Sequence, residues 1–124
     1  MGLMFPKPKE TKKRKKHGES LPHQRDGTCF ICSQLYGMGY QDNLQKHHIF
    51  GGPNRDYAEE DGLFVWLCIY HHTGGKDAVH TNKEMRLWLQ RLGQEAYEDK
   101  LVAAGTPPEV ARETFMQRYG RNYL

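Results

Sequence analysis

Apolar and polar positions alternate along this chain in blocks, and the blocks predict a short order of elements. Residues 1–24 hold no apolar periodicity, with Phe5 their one aromatic, and end near Pro22. Cys29-Phe30-Ile31-Cys32 reads as a tight turn of the knuckle kind, followed by a glycine-rich stretch over 36–40. NLQKHHIF at 43–50 reads as a strand stopped by the breaker Gly51-Gly52-Pro53-Asn54. Residues 55–62 are polar and acidic and are expected to form a loop. LFVWLCI at 63–69 has the aromatic, aliphatic and β-branched content of a buried strand, with a further break at Thr73-Gly74-Gly75. Thr81-Asn82-Lys83-Glu84 fits a capping box with Thr81 at the N-cap, and Met85, Trp88, Leu89, Leu92 and Ala96 follow at helical spacing. That stripe is expected to pack on its own domain, with Gly105 closing the helix. A second box, Thr106-Pro107-Pro108-Glu109, opens a last helix carrying Val110, Phe115 and Met116.

Charge divides the chain more sharply than hydropathy does. Residues 1–17 set seven lysines and arginines against Glu10 alone, a net +6, so the rest of this +3 chain is net −3. A run of like charge with two prolines predicts disorder, and residues 1–24 are expected to form a disordered basic tail ahead of one domain over 25–124. Lys12, Lys13, Arg14, Lys15 and Lys16 are candidate phosphate contacts along an extended arm; the alternative is a solubilising extension. With 124 residues there is room for one core, and a mean hydropathy of −0.85 without a long apolar run excludes a membrane span. Leu3, Met4 and Phe5 are too short an apolar stretch for a secretory signal. Three cysteines cannot all pair within one chain, which points to a reducing cytoplasm rather than a disulfide framework.

The cysteines and seven histidines carry the candidate chemistry. Cys29 with Cys32, and Cys68 with His71, stand three apart, and each pair can turn two donors toward one ion. Together they make a closed Cys3His set of the structural-zinc kind, a staple a small core needs. His47 and His48 are adjacent on a strand, so they face opposite ways and cannot share a role. One should meet a metal and the other something beside it.

Cys-x2-Cys, then HHI at the end of a strand, then LCxxHH resembles the HNH endonucleases of the ββα-metal (His-Me finger) superfamily. KHHIFGGPNR, DGLFVWLCIYHH and AVHTNKE are similar in particular to small phage-encoded HNH proteins and phage recombination-enhancement nucleases, and the likeness covers residues 29 to about 90. The resemblance implies His48 as general base, His47 and His72 as ligands of a catalytic divalent metal, and Cys29, Cys32, Cys68 and His71 as the structural zinc set. It implies DNA as substrate, cleavage to 5′-phosphate and 3′-hydroxyl ends, and phage or host recombination or packaging proteins as partners. One residue departs from the pattern: the family's central Asn, which scaffolds the loop that orients the base, is replaced here by Asp61-Gly62-Leu63. Asp61 and Asn54 are the candidate substitutes.

The chemistry is coherent without the family. Hydrolysing a phosphodiester takes a base, for which histidine is suited near neutral pH, and an electrophile, which a dication on neutral imidazoles supplies. Imidazole suits zinc and nickel, and oxygen ligands suit magnesium, so Mg2+, Mn2+, Ni2+ and Zn2+ all stand as candidates. His80 is a further candidate ligand: Gly74-Gly75 lets the chain loop back, and the helix departs just after it. Arg55 is a candidate phosphate contact beside the motif. The expected molecule is a small α+β protein, a zinc-stapled ββα-metal finger followed by two helices, acting as a DNA endonuclease. The rival is a zinc-ribbon-like module that binds nucleic acid or protein through a degenerate site. No HExxH string is present to favour a metalloprotease.

Overall fold

The computed structural model describes residues 18–124, so Lys12–Lys16 and the rest of the +6 segment lie outside the described residues. Six principal elements follow in order: helix α1 (Phe30–Tyr36), strand β1 (Gln45–His48), helix α2 (Arg55–Asp61), strand β2 (Phe64–Leu67), helix α3 (Lys83–Ala103) and helix α4 (Pro108–Tyr119). A 3-10 turn (Gly52–Asn54) leads into α2, and a π-helical turn (Tyr70–Gly74) follows β2. The fold mixes helix with a two-stranded sheet, as the α+β expectation requires.

β1 and β2 pair antiparallel, with Gln45 opposite Leu67, Lys46 opposite Trp66, His47 opposite Val65 and His48 opposite Phe64. Alternation then gives the ribbon two faces: Gln45, His47, Val65 and Leu67 on one, Lys46, His48, Phe64 and Trp66 on the other. The first face turns inward, where Val65 and Leu67 are fully buried with Ile31, Leu63, Val79 and Leu89. Leu89 is core, and Met85, Trp88 and Leu92 pack against it, so the predicted stripe of α3 does face its own domain. In the same core, the rings of Phe50, Tyr97, Phe115, Tyr119 and Tyr123 join α3 and α4 to the segment after β1. Phe115 is fully buried there, while Val110 and Met116 face outward. Gly93 lets α3 come close to this junction: a Cβ on it would sit 3.0 Å from Ile49 and 3.1 Å from Phe50.

Several local readings are corrected by the structure. Residues 55–62, expected as loop, are helical: 55–61 form α2 and Gly62 caps it. This helix buries only Ala58, so it carries no apolar stripe for a periodicity reading to find. Gly62 closes α2 at φ +75°, and a Cβ there would meet the Glu19 carbonyl at 2.7 Å, so glycine is required on both counts. The predicted knuckle is the first turn of α1, with Cys29 at its N-cap. Asn82, not Thr81, caps α3, its side chain accepting the Met85 N–H, and Pro107 rather than Thr106 occupies the N-cap of α4. The tail boundary also moves, because residues 18–24 run along β2. Leu21 N–H donates to the Gly62 carbonyl at 2.8 Å, Ser20 Oγ to the Phe64 carbonyl at 2.5 Å, and Trp66 N–H to His23 Nδ1 at 3.2 Å. Ser20 and His23 are buried by this contact, which covers an edge that would otherwise expose unpaired backbone.

Candidate metal centres

The first cluster is assembled by α1 and the turn after β2. Cys29 caps α1, and its sulfur accepts the Cys32 N–H at 3.5 Å, so one helical turn presents both cysteines. Cys68 follows β2 directly, and the π turn carries His71 back over it, so Cys29, Cys32, Cys68 and His71 converge. Cys32 Sγ lies 3.8 Å from Cys68 Sγ, and His71 Nδ1 lies 3.3, 3.5 and 3.9 Å from the sulfurs of Cys32, Cys68 and Cys29. A tetrahedron with Zn–S of about 2.3 Å and Zn–N of about 2.0–2.1 Å has edges of about 3.8 Å between sulfurs and about 3.6 Å from sulfur to nitrogen. The donors therefore stand at zinc spacing. Burial pushes the Cys29 thiol up to about 11, so a dication is what would favour the thiolate in this pocket. The set can hold a metal such as zinc, and its four donors are supplied entirely by the protein.

The second cluster uses the next histidine of the same turn. His47 on the inner face of β1, His72 in the π turn and His80 bring one ring nitrogen each within 4.8 Å of one another. Their ring centroids are 4.7–5.3 Å apart. The loop returns His80 as its glycines allow: Val79 N–H donates to the His71 carbonyl at 2.8 Å and His80 N–H to the His72 carbonyl at 3.3 Å. His72 Nε2 and His80 Nε2 face each other at 3.0 Å. Tetrahedral or octahedral coordination at about 2.0–2.1 Å gives nitrogen–nitrogen edges of about 2.9–3.4 Å. Gln45 Oε1 lies 2.6 Å from His72 Nδ1; as an oxygen it can only accept, so Nδ1 carries the proton and Nε2 keeps its lone pair. Burial, and then His80, His72 and His48, hold the His47 imidazole down to about 3, and burial also lowers His72. Neutral imidazoles are the form that binds a cation.

His48 points from the other face of β1 into the rim of the same cavity, of about 320 Å³, which Lys46, His47, Gly51, Gly52, Arg55, His72 and His80 also line. His48 Nε2 lies 2.6 Å from Glu59 Oε1, and Arg55 Nε donates to His48 Nδ1 at 3.3 Å. Lys46 Nζ holds the same Glu59 carboxylate at 2.8 and 2.9 Å. Asp61 and Asn54, the two expected substitutes for the family's central Asn, do not reach His48. Asp61 accepts from Arg118 and from the Tyr119 hydroxyl, both at 2.6 Å, and Asn54 Nδ2 donates to the Tyr119 carbonyl at 3.1 Å. They fasten α2 to α4.

The structure thus brings together the four residues of the predicted closed set, and brings His47, His72 and His80 together with His48 and Arg55 at one cavity. Gln45 and Glu59 were missed. Gln45 had a signal, since it stands two residues before His47 and so on the same strand face. Glu59 had none, because its segment read as loop. Among the described residues no helix is long and apolar enough to cross a membrane. Compared with known proteins, the chain matches no family model, no curated protein and no solved structure.

Proposed function

We propose that this chain is a metal-dependent DNA endonuclease of the HNH kind that its motifs resemble. The observation that carries the reading is the meeting of three imidazoles, His48 and Arg55 at one open cavity beside a separate, closed cysteine set. His47, His72 and His80 would hold a divalent cation, which would supply Lewis acidity to the scissile phosphate. Three imidazoles leave its charge uncompensated and favour zinc or nickel over magnesium. His48 takes the proton of the attacking water, whose oxygen forms the new bond to phosphorus as the P–O3′ bond breaks. The 3′ oxygen takes its proton from solvent, leaving 5′-phosphate and 3′-hydroxyl ends. Arg55, at the rim beside His48, exchanges its contact with the ring for one with the phosphate. The basic residues Lys12, Lys13, Arg14, Lys15 and Lys16 extend phosphate binding away from the site.

Plasmid nicking tests this directly, with Mg2+, Mn2+, Ni2+ and Zn2+ added in turn to the wild type and to His48→Ala. Wild-type nicking is expected with at least one metal, and the substitution is expected to lower it roughly 10²–10⁴-fold while fold and bound zinc are kept. Equal nicking by the two proteins removes His48 from the mechanism and leaves the binding-module reading.

A further inference from the structure

The contacts of His48 fix which of its two nitrogens carries the proton and which keeps its lone pair, and they do so twice over. A carboxylate only accepts hydrogen bonds and a guanidinium only donates them. Glu59 Oε1 at 2.6 Å therefore requires a proton on His48 Nε2, and Arg55 Nε at 3.3 Å requires a lone pair on Nδ1. Both partners come from α2, four residues apart and so on one helix face, and together they grip the two edges of a single ring. The grip is partly shielded: the His48 and Glu59 side chains are 12% and 20% exposed. Lys46, opposite Trp66 on the strand ribbon, binds the same carboxylate and holds it against the ring. Phe64 covers the ring from β2 at 6.1 Å between centroids.

We propose that Glu59 is the positioning residue of this site: it holds His48 in the Nε2–H tautomer and makes Nδ1 the atom that accepts the proton from water. This rests on the nuclease reading for its catalytic part, and on the contacts of His48 alone for the tautomer. It also gives the base an orienting contact that does not depend on the missing central Asn, while Asp61 and Asn54 secure α2 to α4. Arg55 occupies Nδ1 until a phosphate draws the guanidinium away, so the accepting atom is uncovered as substrate arrives.

The test uses the full chain with its zinc in place and histidine labelled with ¹⁵N. Two-bond ¹⁵N–¹H correlation in alkaline buffer is expected to show the His48 ring as Nε2–H, the His48→Ala spectrum assigning the signals. In Glu59→Ala only the exposed Arg55 contact still favours this form, so the Nδ1–H tautomer is expected to gain population, and kcat for nicking to fall roughly 10–100-fold, the range for a lost hydrogen-bond partner of a metal-site histidine, with KM and zinc content unchanged. Glu59→Gln keeps an acceptor oxygen at the same reach and is expected to recover most of the rate, and it serves as the informative variant if Glu59→Ala does not fold. A wild-type ring in the Nδ1–H form overturns the proposal, as does a Glu59→Ala protein with unchanged tautomer and kcat. A wild type that nicks with none of the four metals overturns the nuclease reading instead, and the spectra then decide the tautomer by themselves.

Discussion

The Cys29, Cys32, Cys68 and His71 cluster and the His47, His72 and His80 cluster share one π turn, in which His71 serves the first and His72 the second. The first has four donors, and Cys29, Cys32 and His71 are buried. The second has three donors, and only His47 is buried, with His80 exposed. The chemical difference follows from count and exposure. Four protein donors complete a tetrahedron and exclude substrate, whereas three imidazoles at a cavity mouth leave coordination positions open. Wide π turns recur at functional sites because the extra residue re-aims consecutive side chains. Here two neighbouring histidines of the turn join different clusters. Their hydrogen bonding differs as well: Gln45 bonds to His72, while the buried His71 Nε2 has no hydrogen-bond partner among the described residues.

The largest expected effect breaks the first cluster. Cys68→Ala leaves three donors in a set that four would close, and structural zinc in zinc-finger peptides is worth about 10–16 kcal/mol of folding free energy. The variant is expected to lose zinc and unfold, read by metal analysis and circular dichroism; a folded, zinc-free protein would falsify the structural assignment.

Acid acts next, on the second cluster. The buried His47, held down to about 3, resists the proton that the unfolded chain takes up below its ordinary value of 6.5. Its contribution to stability is thus full above about 6.5 and is lost as pH falls towards 3, at up to about 1.4 kcal/mol per unit of pH. Thermal melts without added metal should steepen in mildly acidic buffer for the wild type. His47→Asn should be flatter over the same range, and parallel curves would mean that His47 does not govern the loss.

The mildest change separates the clusters. His80→Ala is expected to raise the metal concentration for half-maximal cleavage by at least the roughly 10–100-fold typical of outer-shell losses, with the structural zinc retained. A metal titration that does not move would take His80 out of the ligand set.

Much of this site was legible in the chain because its information is local. Spacing of three fixes Cys29 with Cys32 and Cys68 with His71, strand alternation forces His47 and His48 apart, and the Gly74-Gly75 flexure before His80 marks a chain able to turn back. The stripe of α3 announced its packing in the same way. Tertiary structure decided what no local pattern encodes. α2 carries almost no apolar signal; it is placed by the Asp61–Arg118 pair and the Asn54 bond to Tyr119, contacts across more than fifty residues of chain. That docking, together with the packing of α2 on β1, brings Arg55 and Glu59 to opposite nitrogens of His48. Residues 18–24 likewise read as tail, since their order comes from hydrogen bonds of Ser20, Leu21 and His23 to the backbone of Gly62 and β2 rather than from apolar burial of their own. Donor sets are written in spacing, while the orientation of the His48 ring is written in hydrogen bonds that form only once distant elements have packed.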